Sequence, residues 1–157
     1  MKKISFLFIM AVSVMFSACT KEGPAGKDGN ANVVSSSMTA LNWSYNAPNW
    51  TVSFNIASIT QDIVDRGAVL AYVKVGNNFS QLPLTFYQDP AYSTSVGVLT
   101  VLGGVLVTWT DSDLTQPINP GPQVFKFVVI SASSRQQHPN IDYTNYEEVK
   151  NAFNLED

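Results

Sequence analysis

Trp50-Thr51-Val52-Ser53-Phe54-Asn55-Ile56 is the stretch on which the fold of this chain turns. Trp50, Val52, Phe54 and Ile56 alternate with Thr51, Ser53 and Asn55. Period-two alternation over seven residues is the mark of a half-buried antiparallel strand, with one face on a core and the other in water. Outward from it, Ala68–Val75 (AVLAYVKV) and Gln123–Ser131 (QVFKFVVIS) are apolar on both faces. Such strands belong in the middle of a sheet, covered from both sides. Tyr92–Leu102 and Val105–Thr110 read as a hairpin joined by Gly103-Gly104, because glycine admits the positive φ of a tight turn. Asn32–Ala40 is a Val-, Ser- and Thr-rich strand, and Asn42–Asn49 reads as a hairpin approach and turn. Phe79–Tyr87 goes to an edge, since Pro83 has no amide to give to a ladder.

The helical signals are sparse. Thr60–Arg66 is a short helical turn with Thr60 as its cap, Asp62 in its first turn and Gly67 as its stop. Asp111–Pro122 and Ser133–Asn140 read as loops. Thr144 and Glu147 have the spacing of a capping box. The helix that follows puts Tyr146, Val149 and Phe153 on one face, a cover for the second side of a central strand. Together these elements predict a mainly β chain. The expected architecture is an antiparallel β-sandwich of about seven strands, with a short helical turn and one C-terminal amphipathic helix.

Ahead of this domain, residues 1–31 have a different composition. Lys2 and Lys3 precede an apolar run, Ile4–Phe16, shorter than the roughly 20 residues a spanning helix needs. Basic start, short apolar middle and small residues at the end describe an export signal over residues 1–18. Phe16-Ser17-Ala18-Cys19 resembles the lipobox of bacterial lipoproteins, with Phe16 where Leu is usual. That resemblance implies acylation of Cys19, the sole cysteine of the chain. No disulfide within the chain can form, despite export to an oxidising compartment. Two or three acyl chains, each CH₂ worth about 0.8 kcal/mol on burial, hold a protein on a membrane without a spanning helix.

Residues 19–31 contain three Gly-x-y triplets from Gly23 to Ala31, a collagen-like pattern too short for a stable triple helix. They read as a solvated tether, which leaves residues 32–157 as the folded domain. A lipobox cysteine, a Gly-Pro-Ala-Gly-Lys-Asp-Gly tract and a small β-domain resemble uncharacterised lipoproteins of the Bacteroidota. The segments Ile59–Val69 and Asn145–Lys150 fit the same resemblance. It implies a lipid-anchored protein of the cell envelope, at the outer membrane, and brings no activity or site residue with it. In that phylum acidic residues after the lipidated cysteine direct export to the surface. Glu22 is the only acid in the first few positions after Cys19, so the surface and periplasmic faces both stay open.

The formal charge is −3, and loss of Lys2 and Lys3 with the leader moves it to −5. Only 13% of residues are charged, so Ser, Thr, Asn and Gln must solvate much of the surface. An acidic domain without a basic patch is a poor partner for nucleic acid, and none is expected.

Catalytic signals are equally thin. His138, the only histidine, lies before Pro139 in a polar stretch, with no Gly-x-Ser-x-Gly motif to supply a nucleophile. Asp111, Asp113 and Asn119 do not form a calcium-loop pattern. Asp62, Asp65, Glu147 and Glu148 serve helix N-termini. No catalytic residue, metal site or cofactor is assigned. The aromatics are the remainder: Trp50 and Trp109 alternate with core residues, whereas Trp43, Tyr45, Tyr87 and Tyr92 are the candidates for a ligand-binding surface. The leading expectation is a non-enzymatic, membrane-anchored interaction or structural module, whose partner, protein or glycan, the residues do not name. Its alternatives are a glycan-binding module using those four aromatics and, least favoured, an envelope hydrolase.

Overall fold

In the computed structural model, which describes residues 32–155, the alternating pattern becomes two antiparallel sheets packed as a sandwich. The expected leader (1–18) and the lipidated cysteine with its tether (19–31) lie outside the described residues. The strands are β1 (Val33–Ala40), β2 (Ser44–Asn46), β3 (Asn49–Asn55), β4 (Ala68–Val75), β5 (Asn78–Gln81), β6 (Leu84–Asp89), β7 (Tyr92–Val101), β8 (Gly104–Asp111) and β9 (Gln123–Ile130). Three short helices join them: α1 (Gln61–Arg66), α2 (Ala132–Gln137) and α3 (Tyr146–Phe153). Sheet I runs in the order β1-β9-β4-β5 and sheet II in the order β2-β3-β8-β7-β6.

The two sheets meet through alternate residues. Phe54, Val96, Val105 and Val107 of sheet II face Ala71, Val73, Phe125, Phe127 and Val129 of sheet I in one buried cluster. Register enforces this. Trp50, Val52 and Phe54 pair with Trp109, Val107 and Val105, so the alternation in β3 and that in β8 point the same way. Aromatic rings knit the layers, with Phe54 5.5 Å from Phe125 and 5.1 Å from Phe127 between centroids.

A second cluster lies on the far side of sheet I, where Tyr72, Val128, Ile130 and Val33 pack under Tyr146, Val149 and Phe153 of α3. The two-sided strands β4 and β9 are therefore central and covered, as their composition requires. Lys126 is also in this second layer, 2% exposed, its ammonium about 6 Å from the rings of Phe79 and Tyr146. Aromatic faces attract a cation at that distance. Burial, helped by the nearby Tyr146 and Asp142, pushes the Tyr72 phenol well above its ordinary range. Its hydroxyl donates to the carbonyl of Tyr143.

Several local expectations need correction. The described residues form nine strands rather than about seven, because Ser44–Asn46 is a strand of its own and Phe79–Tyr87 is two. The Leu82–Pro83 peptide, which is cis, separates β5 at the edge of sheet I from β6 at the edge of sheet II. Pro83 marks a crossing between layers rather than one edge strand. The β7–β8 turn is Leu102-Gly103, not Gly103-Gly104, since Val101 pairs with Gly104. Gly103 takes φ +78°, while Gly104 is required for a different reason: a Cβ there would lie 2.4 Å from the carbonyl oxygen of Phe54. Only a glycine lets β8 pass that close to β3.

Residues 133–137, read as loop, belong to α2, capped by Ser131, whose side chain accepts from the amide of Ser134. The helix buries only Ser134, so it has no apolar stripe for a sequence pattern to reveal. The cap of α3 is displaced by one residue. Asn145, not Thr144, accepts from the Glu147 amide, and Glu148 reaches back to the amide of Asp142. Thr144 instead gives both its amide and its hydroxyl to the Asp142 carboxylate, which holds that carboxyl below its ordinary range.

Candidate ligand-binding cleft

Along β8 the inward-facing row is Val105, Val107, Trp109 and Asp111: three apolar residues and then an acid. The β7 row on the same face reaches Thr94, directly opposite Asp111, and then Tyr92. On β9 the row Val129, Phe127, Phe125 ends in Gln123. The core rows of both sheets thus turn polar at one end of the sandwich, where the long β8–β9 connection crosses over them.

Two tryptophans hold that connection in place. The Trp43 indole N–H donates to the carbonyl of Gly121 and the Trp50 indole N–H to that of Pro117, both at 2.8 Å. Within the connection, Asn119 accepts from the amide of Gly121, and Asp113 accepts from the amide and hydroxyl of Thr115. A segment with almost no ladder of its own is therefore fixed by side chains, and Pro117 is buried beneath it. Loops held rigidly on a sheet scaffold are common places for binding.

Between this connection and the sheet ends lies a cleft of about 350 Å³, lined by Phe86, Tyr92, Trp109, Asp111 and Thr94 on one side and by residues 117–120 with Gln123 on the other. Asp111 is 6% exposed, and one carboxylate oxygen accepts from the Thr94 hydroxyl at 2.6 Å. Phe86 stands edge-on to Trp109 at 5.5 Å between centroids. The volume is at the small end of ligand sites, and the mixture of aromatic wall and few polar groups is the usual one.

The four aromatics singled out from the sequence separate. Trp43 is 8% exposed and packs edge-on against Trp109 and Phe125, so it is a core residue and not a surface platform. Its place between strands concealed this: β2 and β3 fold back and carry Trp43 under the loop. Tyr45 rests against Trp50 with about a third of its surface free. Tyr87 is 84% exposed on the edge strand β6. Tyr92 alone lines the cleft. The structure therefore does not bring the four together.

Asp111 and Trp109, which read from sequence as a turn residue and a core residue, are the side chains that give the cleft its character. Their signal was the continuing alternation of β8 through position 111. His138 lies on the opposite cover, its ring edge-on to Phe153 at 4.8 Å. Among the described residues no group of three His, Cys, Asp or Glu side chains is close enough to hold a metal ion, and no helix is long and apolar enough to cross a membrane. No known family model matches the chain, and no curated protein or solved structure is significantly similar to it.

Proposed function

We propose that this chain is a lipid-anchored cell-envelope protein whose β-sandwich is a non-enzymatic interaction module, carried on the Gly-rich tether and binding through the loop-capped cleft. The observation that carries the reading is the connection pinned by Trp43 and Trp50 over a cleft with a buried carboxylate. One buried and one half-buried indole are a large commitment of side chain to a segment that contributes little to the sheets. A fixed rim over a polar floor is their return.

The anchor rests on Phe16-Ser17-Ala18-Cys19 and on the absence of any other cysteine. Labelled palmitate should enter the wild-type protein and not Cys19→Ala; an unlabelled wild type would remove the address. A photo-cross-linking residue at Ile118, 87% exposed on the rim, should capture a discrete partner in intact cells. The same residue at Thr108, on the opposite side of sheet II, should not. Equal capture at both positions, or at neither, would end the claim that the cleft is the working surface.

A second reading, glycan binding, is favoured by one observation. The outward residues of β3, β7 and β8 include Thr51, Ser53, Ser95, Thr108 and Thr110 and no charged side chain, and exposed Tyr87 stands beside them on β6. Hydroxyls with an aromatic ring suit sugar surfaces. A polysaccharide screen should then give binding that Tyr87→Ala abolishes, and a flat response would dispose of this reading.

A further inference from the structure

We propose that the cleft beneath the β8–β9 connection is a site for an organic cation, an ammonium or guanidinium group. The proposal rests on the reading of this cleft as the binding site and names the chemistry of what enters it. It begins with the position of Asp111. An acid in the inward row of a sandwich strand is withdrawn from most of its water, and a buried carboxylate is costly unless it is paired and hydrogen-bonded. A carboxylate offers about four acceptor positions. Among the described residues the only side chain that serves it is the neutral Thr94 hydroxyl.

No Lys, Arg or His is among the residues lining the cleft. The electrostatic demand of Asp111 is thus met by nothing on the walls, and the opening of the cleft is where it can be met. The other walls point to the same ligand. Trp109, Phe86 and Tyr92 line the same cleft as the acid. Aromatic rings attract cations, indole most strongly, and more so where water is excluded. A carboxylate beside aromatic rings therefore favours a cation by two independent terms. An anion would meet Asp111 unfavourably, and a neutral sugar would leave the carboxylate without a charge partner. Asn119 is tied to the Gly121 amide and Gln123 to the Pro120 carbonyl, and neither carries a charge. They shape the rim and leave Asp111 as the group that selects.

The volume suits one side-chain-sized head group rather than an oligomer. Two sources share this chemistry: the basic side chain of a partner protein and the amine of an amino sugar. Tryptophan fluorescence and calorimetry on the full-length protein in detergent would test the site with pairs of probes. Arginine amide is set against its neutral isostere citrulline amide, and glucosamine against N-acetylglucosamine. At least one cationic probe should bind about tenfold or more tightly than its neutral counterpart, and which pair does so identifies the source. Asp111→Asn keeps an acceptor for Thr94 and should remove that preference.

Equal binding of charged and neutral probes, binding of neutral saccharides alone, or no binding by any probe would overturn the proposal. So would a folded Asp111→Asn protein that keeps the preference. The wild-type comparison needs no variant, so it stands even if Asp111→Asn fails to fold. Capture at Ile118 in cells tests the cleft as a working surface independently of the ligand's charge.

Discussion

Strands β8 and β9 each send an apolar row into the core, yet the burial of their outward rows differs, and the difference separates the two sheets. In β8 the inward residues Val105 and Val107 are buried, while the outward Leu106, Thr108 and Thr110 keep contact with water. In β9 both sets are buried, because Val128 and Ile130 on the outward side lie under α3. Sheet I is therefore the middle of three layers and sheet II an outer wall. The chain spends its apolar residues accordingly: hydroxyls on the free face of sheet II, and Tyr146, Val149 and Phe153 on the helix that covers sheet I. A two-sided strand needs a cover, and its cover can be the last element of the described chain.

The largest effect should come from the layer that both sheets share. Phe127→Ala empties a site that contacts Phe54 across the sandwich and should cost about 3–5 kcal/mol in chemical denaturation. If the loss stays under about 1 kcal/mol, the inter-sheet core is not the main source of stability. Val128→Thr probes the second layer, placing a hydroxyl beneath α3, and should cost about 1–3 kcal/mol. A neutral result would show that α3 does not seal that face.

The anchor of the cover can be tested by pH. The Asp142 carboxyl is held low by the Thr144 hydroxyl and amide, so its folded value lies below the unfolded one, about 3.9. A group depressed on folding contributes stability above its unfolded value and loses it as pH falls through the folded one. The wild type should therefore exceed Asp142→Asn slightly at neutral pH, and the gap should close in strong acid. A gap that persists at the acid end would assign the effect to shape instead of charge. The smallest change belongs to the open wall. Thr108→Val should leave stability within about 0.5 kcal/mol, and a loss comparable to that of Val128→Thr would erase the distinction between the faces.

Much of this contrast is legible in the residues. Alternation in Trp50–Ile56 announces a half-wet strand, and AVLAYVKV and QVFKFVVIS announce strands covered twice. Tyr146, Val149 and Phe153 announce the cover. These signals survive because they depend on side-chain period, which a strand or helix imposes wherever it sits. The errors cluster where period is short or absent. α2 has no apolar stripe, the α3 cap admits two spacings one residue apart, and Pro83 says that a ladder is interrupted without saying that the chain changes sheets.

The candidate site was less legible for a related reason. Trp43, Tyr45, Tyr87 and Tyr92 share residue type and nearness to strand ends, and neither property decides which way a ring faces. Trp43 is drawn inward because its indole N–H finds the Gly121 carbonyl, 78 residues along the chain. Asp111 joins Thr94, 17 residues away, because β7 and β8 pair in a register that places the two side by side. Such partners are long-range, and composition does not encode them.

By itself, then, the sequence determined the mainly antiparallel sandwich, the strands that needed covering, and the expectation of an acylated Cys19. These follow from local period and local motif. Only the tertiary structure decided that Pro83 divides two sheets, that Trp43 and Trp50 clasp one loop, and that Asp111 closes an apolar row inside a cleft. Each of those depends on strand register and on contacts between distant residues, where a shift of one position would turn every side chain to the other face.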